Sequence, residues 1–370
     1  MKVGFVSDLD VDSESVRRFY EENWNRKIVL SEKTFYDWQF IDTPNNDGRD
    51  NCVIAFDEAE RKILGVMGLN KRDFFLNDCS YRGAELTTWV VSRAAAGQGI
   101  GTRILAHIQS SFDVLIGMGI TDAALPIYMR SGFRFLKSIP RFIKVLNFEK
   151  VKNYATYTDL GIKLADQWSL KQQKNFVLRE ASVAEYNDIF LRQKQTLNMF
   201  SRDDRHRAWR YENHPVFQYK QFLVGEAEGS INDTAFVAIR EELSVSDLRV
   251  LHVMDLFGDD LAMRSGVNFI ENYSAEHGFD IVDFYCTASN VSRWVLANGW
   301  FSINDDACFQ FPHLFRPVEM RNPPTTSLVY WAKDNLQEIA DISSLYITKQ
   351  DADLDRPTPE PSDSNKRGTL

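Results

Sequence analysis

Glu85-Leu86-Thr87-Thr88-Trp89-Val90-Val91 and, a few residues on, Gly97-Gln98-Gly99-Ile100-Gly101-Thr102 decide the fold of this 370-residue chain. The first stretch is dense in β-branched and aromatic residues and predicts a strand. The second is a glycine loop that runs into an apolar-periodic helix carrying Ile104, Leu105 and Ile108. Glycines between a strand and a helix let successive backbone N–H groups converge on one point, and the positive end of the helix dipole points the same way. Such a loop is a ready phosphate cradle. Taken alone it is equally a plain flexible turn.

The residues after the loop narrow the choice. Phe112-Asp113-Val114-Leu115-Ile116 predicts another strand, and Ala124, Tyr128, Gly132 and Phe133 fall on an Ala-x-x-x-Tyr-x-x-x-Gly-Phe spacing. Ahead of Glu85 the chain reads as a strand at Lys2–Val6 and a helix opened by Asp12 or Ser13. A second helix, opened by Ser31 and stopped near Pro44, comes next, then a hairpin of Cys52–Phe56 with Ile63–Leu69 and a third strand around Phe74 and Phe75. This order, with both motifs in place, resembles the GNAT acyltransferase superfamily. The resemblance implies that Gly97, Gln98, Gly99, Ile100, Gly101 and Thr102 hold the pyrophosphate of acetyl-CoA or a longer acyl-CoA. It also implies that the N–H groups of Val90 and Val91 receive the thioester oxygen and that Tyr128 faces the CoA sulfur. Phe135–Phe148 would supply the closing strands. One departure is Ala96, where the family usually has Arg or Gln; Arg93 or Arg103 would partly replace that contact.

The chain then repeats itself. Trp38 precedes Pro44 as Trp209 precedes Pro215, and Phe112-Asp113 with Gly132-Phe133 recurs as Phe279-Asp280 with Gly299-Trp300 (279 − 112 and 299 − 132 both give 167). That interval carries the organising strand onto His252–Leu256. Ser182-Val183-Ala184-Glu185 has the form of a capping box at the head of the second copy's first helix. In place of the glycine loop the second copy has Arg264-Ser265-Gly266-Val267-Asn268, and in place of Tyr128 it has Val295. The expected fold class is α+β. It consists of two tandem GNAT domains, each a mixed, mostly antiparallel sheet flanked by helices, the second degenerate. The expected boundaries are 1–150 for the acyl-CoA domain, 151–174 for a linker and 175–332 for the second domain. A short helix within 333–350 and a disordered tail over 351–370 complete the chain.

Composition bounds the partners. A net charge of −9, with 43 basic against 52 acidic residues, argues against a nucleic-acid or anionic-membrane binder. The four cysteines have no metal-ligand spacing, so no metal is expected. The amino terminus is not a secretory signal and no apolar run reaches membrane-spanning length, so the expected location is cytoplasmic.

Three groups of residues are candidates for chemistry. Glu85, with Thr87, Trp89 and Val91 on its face by strand alternation, is either a general base for the acceptor ammonium or an exposed strand carboxylate. Asp122 either binds the pantetheine amides or caps the following helix. Arg205, Arg207, Arg210, Trp209 and Tyr211, with Trp38, are acceptor candidates, because arginines clamp diphosphates and aromatic rings stack on bases. The same residues read equally as a solvated helix face, with Trp38 and Trp209 as equivalent core positions. Tandem chains of this kind resemble N-acyltransferases of nucleotide-linked amino sugars bound for surface polysaccharide such as O-antigen. The expected reaction is therefore acyl transfer from acyl-CoA to a dTDP- or UDP-linked amino-deoxysugar. An antibiotic, peptide or amino-acid amine as acceptor remains open, as does a non-catalytic CoA- or metabolite-binding module.

Overall fold

In the computed structural model the described residues are 1–46, 48–160, 163, 175–179, 182–227, 233–244, 247–303, 309–316, 318–321, 325–334, 336–352 and 355–358. Most of the expected linker and residues 359–370 lie outside them. Local signals set the first elements. Asp12 accepts a 2.6 Å bond from the Ser15 amide and opens the helix Ser13–Asn23, and Ser182 does the same for Glu185 at the head of Val183–Gln193. Ser31 is no cap; it donates to the Ile28 carbonyl, and the helix Lys33–Phe40 starts from Glu32 without a side-chain cap. The expected hairpin forms from Val53–Asp57, but its second strand and the expected third strand merge into one, Lys62–Leu76, and the organising strand begins early, at Cys79. Asn77 and Asp78, both at positive φ, make the two-residue turn between them.

In spatial order, the first sheet runs Lys2–Phe5, Val53–Asp57, Lys62–Leu76, Cys79–Val91, Val114–Met118, Leu328–Ala332 and Arg134–Leu136. The second runs Phe301–Ser302, Arg141–Val145, Ile281–Tyr285, Arg249–Gly258, Thr234–Leu243, Tyr219–Glu226 and Phe176–Arg179. Each half therefore lends the other a strand. Arg141–Val145, expected to close the first sheet, lies between two strands of the second, and Leu328–Ala332 lies inside the first. The duplication is visible in the register. Gly83 to Leu86 pair in parallel with Val114 to Gly117, and Val250 to Val253 pair with Ile281 to Phe284, every partner displaced by the same 167 (250 − 83, 281 − 114).

The copies meet at a reciprocal contact. Trp38 and Trp209 stack with centroids 4.7 Å apart, and each indole N–H donates to the other's carbonyl, at 3.1 and 2.8 Å. Beside them the His214 ring accepts the amides of Val216 and Phe217 at Nδ1. Residues 345–352 and 355–358 run across this junction as a strap. Asp351, fully buried, receives Arg72 at 3.1 Å from the first copy and Arg202 at 2.6 Å from the second. Asp355 receives Arg240 at 2.8 Å and Arg210 at 3.3 Å. The tail expected to be disordered from 351 is thus packed at 351–352 and 355–358. Composition misled there because the Asp351 and Asp355 carboxylates serve a buried ion-pair junction instead of solvent. The short helix is present at Leu336–Ile339.

Asp351→Ala leaves two buried guanidinium groups short of a partner and should lower stability by about 3–5 kcal/mol, read from urea denaturation. Burial, then the nearby Arg210 charge, holds His214 down to about 3. The unfolded chain, with a histidine near 6.5, then binds the proton first. Stability should fall from pH 7.5 to pH 5, His214 accounting for about 2 kcal/mol of the loss. His214→Gln should flatten that slope in denaturation midpoints measured at the two pH values.

Candidate active site

Ladder pairing between Cys79–Val91 and Val114–Met118 ends at Leu86 and Gly117, so the two parallel strands part and leave a wedge. Just past that point the organising strand bulges. Gly68 faces it, and a side chain at that position would meet Phe40 at 2.4 Å and the Thr87 hydroxyl at 2.6 Å. The bulge inverts the alternation. Ala84, Leu86, Trp89 and Val91 share the core beneath the helix Ile100–Ser111, while Val90 turns to the opposite core with Trp38 and Phe40. Glu85 accordingly does not share a face with Trp89 and Val91. It is buried, accepting from Asn70 at 2.8 Å and lying 3.6 Å from Arg72. It is neither a solvent-facing carboxylate nor a wall of the cleft, because a bulge cannot be read from alternation.

The same geometry orients the two expected amide donors differently. Ser92 donates to the Leu64 carbonyl of the neighbouring strand. Successive strand amides point to opposite edges, so Val91 faces the parted side, as does Trp89, and Val90 points back into the ladder. Beyond them, Gly97 and Gly99 lie at φ of 77° and 74°, in the left-handed region that favours glycine, and the helix begins at Ile100. Its first-turn amides have no intrahelical acceptor. Gly101 is needed for another reason: a side chain there would meet the Trp89 ring at 2.6 Å.

These elements frame a cavity of about 780 Å³. Gly97, Gly99, Ile100, Gly101, Thr102, Val91 and Tyr128 line it, and Tyr128 packs edge-on against Trp89 at 5.3 Å. Gln98 and Asp122 are exposed and off the lining; Gln98 bonds the Ala94 carbonyl, and Thr121, not Asp122, accepts the Ala124 amide. The charged side chains on the wall are Arg26, Lys27, Arg130, Arg321 and Arg356, with no carboxylate among the described lining residues. In a chain of net charge −9 that concentration suits a polyanion. Neither Arg93 nor Arg103 is among them. Arg130 ends the helix that carries Tyr128, while the other four come from the loop after the first helix and from late in the chain, where no local motif marks them. Two more residues escaped the sequence reading: Thr87 and Trp89 line the cavity, and the Thr87 hydroxyl and the Trp89 indole N–H are buried without a hydrogen-bond partner.

The expected acceptor residues lie elsewhere. Trp38 and Trp209 are occupied with each other, and Tyr211 is buried, its hydroxyl 3.4 Å from Asp255. Arg207 is bound by Asp204 and Glu212, and Arg210 by Asp355 and Tyr219. Arg205 is exposed, 3.6 Å from Asp203. No diphosphate clamp forms from these side chains.

The second copy's wedge is filled. Its strand ends at Gly258, the counterpart of Val91, but the helix Asp260–Glu276 starts at once and occupies the place of the glycine loop. The Leu256 amide, counterpart of Trp89, donates to the Tyr346 hydroxyl at 3.0 Å, and the Thr348 hydroxyl donates to the Met254 carbonyl at 2.8 Å.

Residues 13–126 match the acetyltransferase (GNAT) family. Among solved structures, a GCN5-related N-acetyltransferase from Anabaena variabilis is similar at 11% identity and a TM-score of 0.53, over 89% of this chain and 72% of that one. N-myristoyltransferase from Saccharomyces cerevisiae, with bound myristoyl-CoA, is similar at 10% identity and a TM-score of 0.52, over 89% of this chain and 82% of its own. At such identities these two establish the fold. No curated protein matches the sequence. Among the described residues no helix is long and apolar enough to cross a membrane.

Gly99→Val forces a β-branched residue to positive φ and should raise the acetyl-CoA KM about tenfold or more. Gly266→Ala, whose added carbon would meet Leu256 at 3.2 Å in the second copy, should change the melting temperature and leave that KM alone.

Proposed function

We propose that this chain is an acyl-CoA-dependent N-acyltransferase whose single acyl-CoA site lies in the amino-terminal GNAT domain. The observation that carries the reading is the open wedge beside a carboxylate-free, cation-lined cavity, set against a second wedge that the chain itself fills. First-turn amides from Ile100 onward, with Arg26 and Lys27 on the wall, would hold the phosphates. The thioester would lie along the parted strand, where the Val91 N–H points at the carbonyl oxygen as it gains negative charge. Trp89 and Thr87 offer the pantetheine further hydrogen-bonding groups. Tyr128, on the cavity wall against the Trp89 ring, would give a proton or hydrogen bond to the departing sulfur.

For the acceptor, the fold supports an amine. The nucleotide-linked amino sugar rested on Arg205, Arg207 and Arg210 as a diphosphate clamp, and the chain's own carboxylates engage those side chains. Glu85, held by Asn70 and Arg72, is poorly placed to take the amine's proton, which would pass to solvent.

Tyr128→Phe should lower kcat by about 10²–10⁴-fold while acyl-CoA affinity stays within about twofold. Thiol release with acetyl-CoA and an amine panel, alongside calorimetric titration of CoA, is the measurement. CoA binding without turnover on any amine would favour a non-catalytic binding module, and absence of CoA binding would remove the function altogether.

A further inference from the structure

A second cavity, about 380 Å³, opens on the carboxy-terminal copy and shares His313, Leu314, Arg356, Pro357 and Thr358 with the acyl-CoA cleft. We propose that this cavity is the acceptor site and that it takes a small zwitterionic amine bearing a carboxylate, an amino acid or a close derivative. The proposal rests on the N-acyltransferase reading and names the substrate class for it.

Arg240 and His252, in register on neighbouring strands, are part of the wall, and Asp283 on the next strand lies behind them. His252 Nδ1 contacts Asp283, and the Lys349 ammonium, from the strap, lies 2.9 Å from the same nitrogen. Glu242 lies 2.7 Å from Arg240 and 3.5 Å from His252 Nε2. Cations and carboxylates therefore alternate over a few ångströms. A diphosphate would meet Glu242 and Asp355 at once, whereas a molecule with an ammonium at one end and a carboxylate at the other has a partner for each. Burial alone would push the Glu242 carboxyl up, but the His252 bond and charge, with Arg240 and Lys349 close by, bring it down to about 2, so it is ionised.

The site also has unused bonding capacity. His313 Nδ1 and Arg240 Nε have no hydrogen-bond partner, on residues only 4% and 5% exposed. Buried polar atoms are almost always satisfied, and two orphans on one cavity wall point to a polar ligand. The cavity is not a second CoA site, since Tyr346 and Thr348 fill the adjoining wedge. Its position is compatible with the need: the two cavities share part of their lining, so an amine held there would lie beside the acyl-CoA cleft. The ammonium loses a proton and its nitrogen bonds to the thioester carbon. The carbon–sulfur bond breaks and CoA leaves as the thiol, with one net proton released to solvent.

The test uses the full chain with saturating acetyl-CoA, following thiol release on glycine, serine and glutamate, on ethanolamine as decarboxylated serine, and on glucosamine and a UDP-linked amino sugar. At least one amino carboxylate should be turned over, and serine, if used, should exceed ethanolamine by about 100-fold in kcat/KM. On the best amino carboxylate, Lys349→Gln and Glu242→Gln should each raise its KM at least tenfold with the acetyl-CoA KM within twofold. Melting temperatures identify a variant that fails to fold, and the other variant and the wild-type panel then decide. Preference for either sugar, equal use of ethanolamine, or variants that move only the acetyl-CoA KM would overturn the assignment. So would no turnover on any amino carboxylate. If acetyl-CoA still raises the melting temperature in that case, the acceptor assignment alone falls; if it does not, the acyltransferase reading falls with it.

Discussion

Two parallel strands that hydrogen-bond for four residue pairs and then separate create the space on which everything else depends. A sheet normally satisfies its own amides, and parting two strands leaves polar backbone to be satisfied by something else. In the amino-terminal half the Val91 amide and the first turn of the next helix face an open cavity. In the carboxy-terminal half that something is the protein, through Tyr346 and Thr348. One ancestral geometry thus ends in an open site and a filled one, and the difference lies in what fills the wedge.

Keeping two copies in fixed relation is the task of the seam between them. Each sheet contains a strand from the other half, so neither core is complete without the exchange. The Trp38–Trp209 stack with its reciprocal bonds acts at the centre, and the strap supplies Asp351 and Asp355 to arginines of both halves. Buried guanidinium groups are tolerable because each finds a carboxylate, and removing one partner would strand the other. The strap then continues as Arg356, Pro357 and Thr358 into the walls of both cavities. The segment that joins the halves therefore also forms part of the lining of both cavities.

Charge is sorted on the same plan. The protein as a whole is acidic, yet the described charged residues on the large cleft are all cations, and the smaller cavity carries both signs in close register. The first pattern suits a polyanionic coenzyme, the second a compact molecule with both charges.

Much of this was legible in the chain. The glycine loop, the Tyr128 to Gly132-Phe133 spacing and the interval of 167 depend on local backbone demands and on duplication, both written residue by residue. They determine two α+β copies, one with a cradle and one without. Only the tertiary structure decided the rest. A bulge opposite Gly68 turned Glu85 away from Trp89 and Val91, which no period-two reading detects. Arginines at 205–210 that look like a clamp found carboxylates at Asp203, Asp204 and Asp355, and a polar tail became a buried strap, because ion pairs are settled by what lies across space. Apart from Arg130, the cleft's cations, drawn from Arg26 to Arg356, had no local signature, since long-range folding alone brings their charges together.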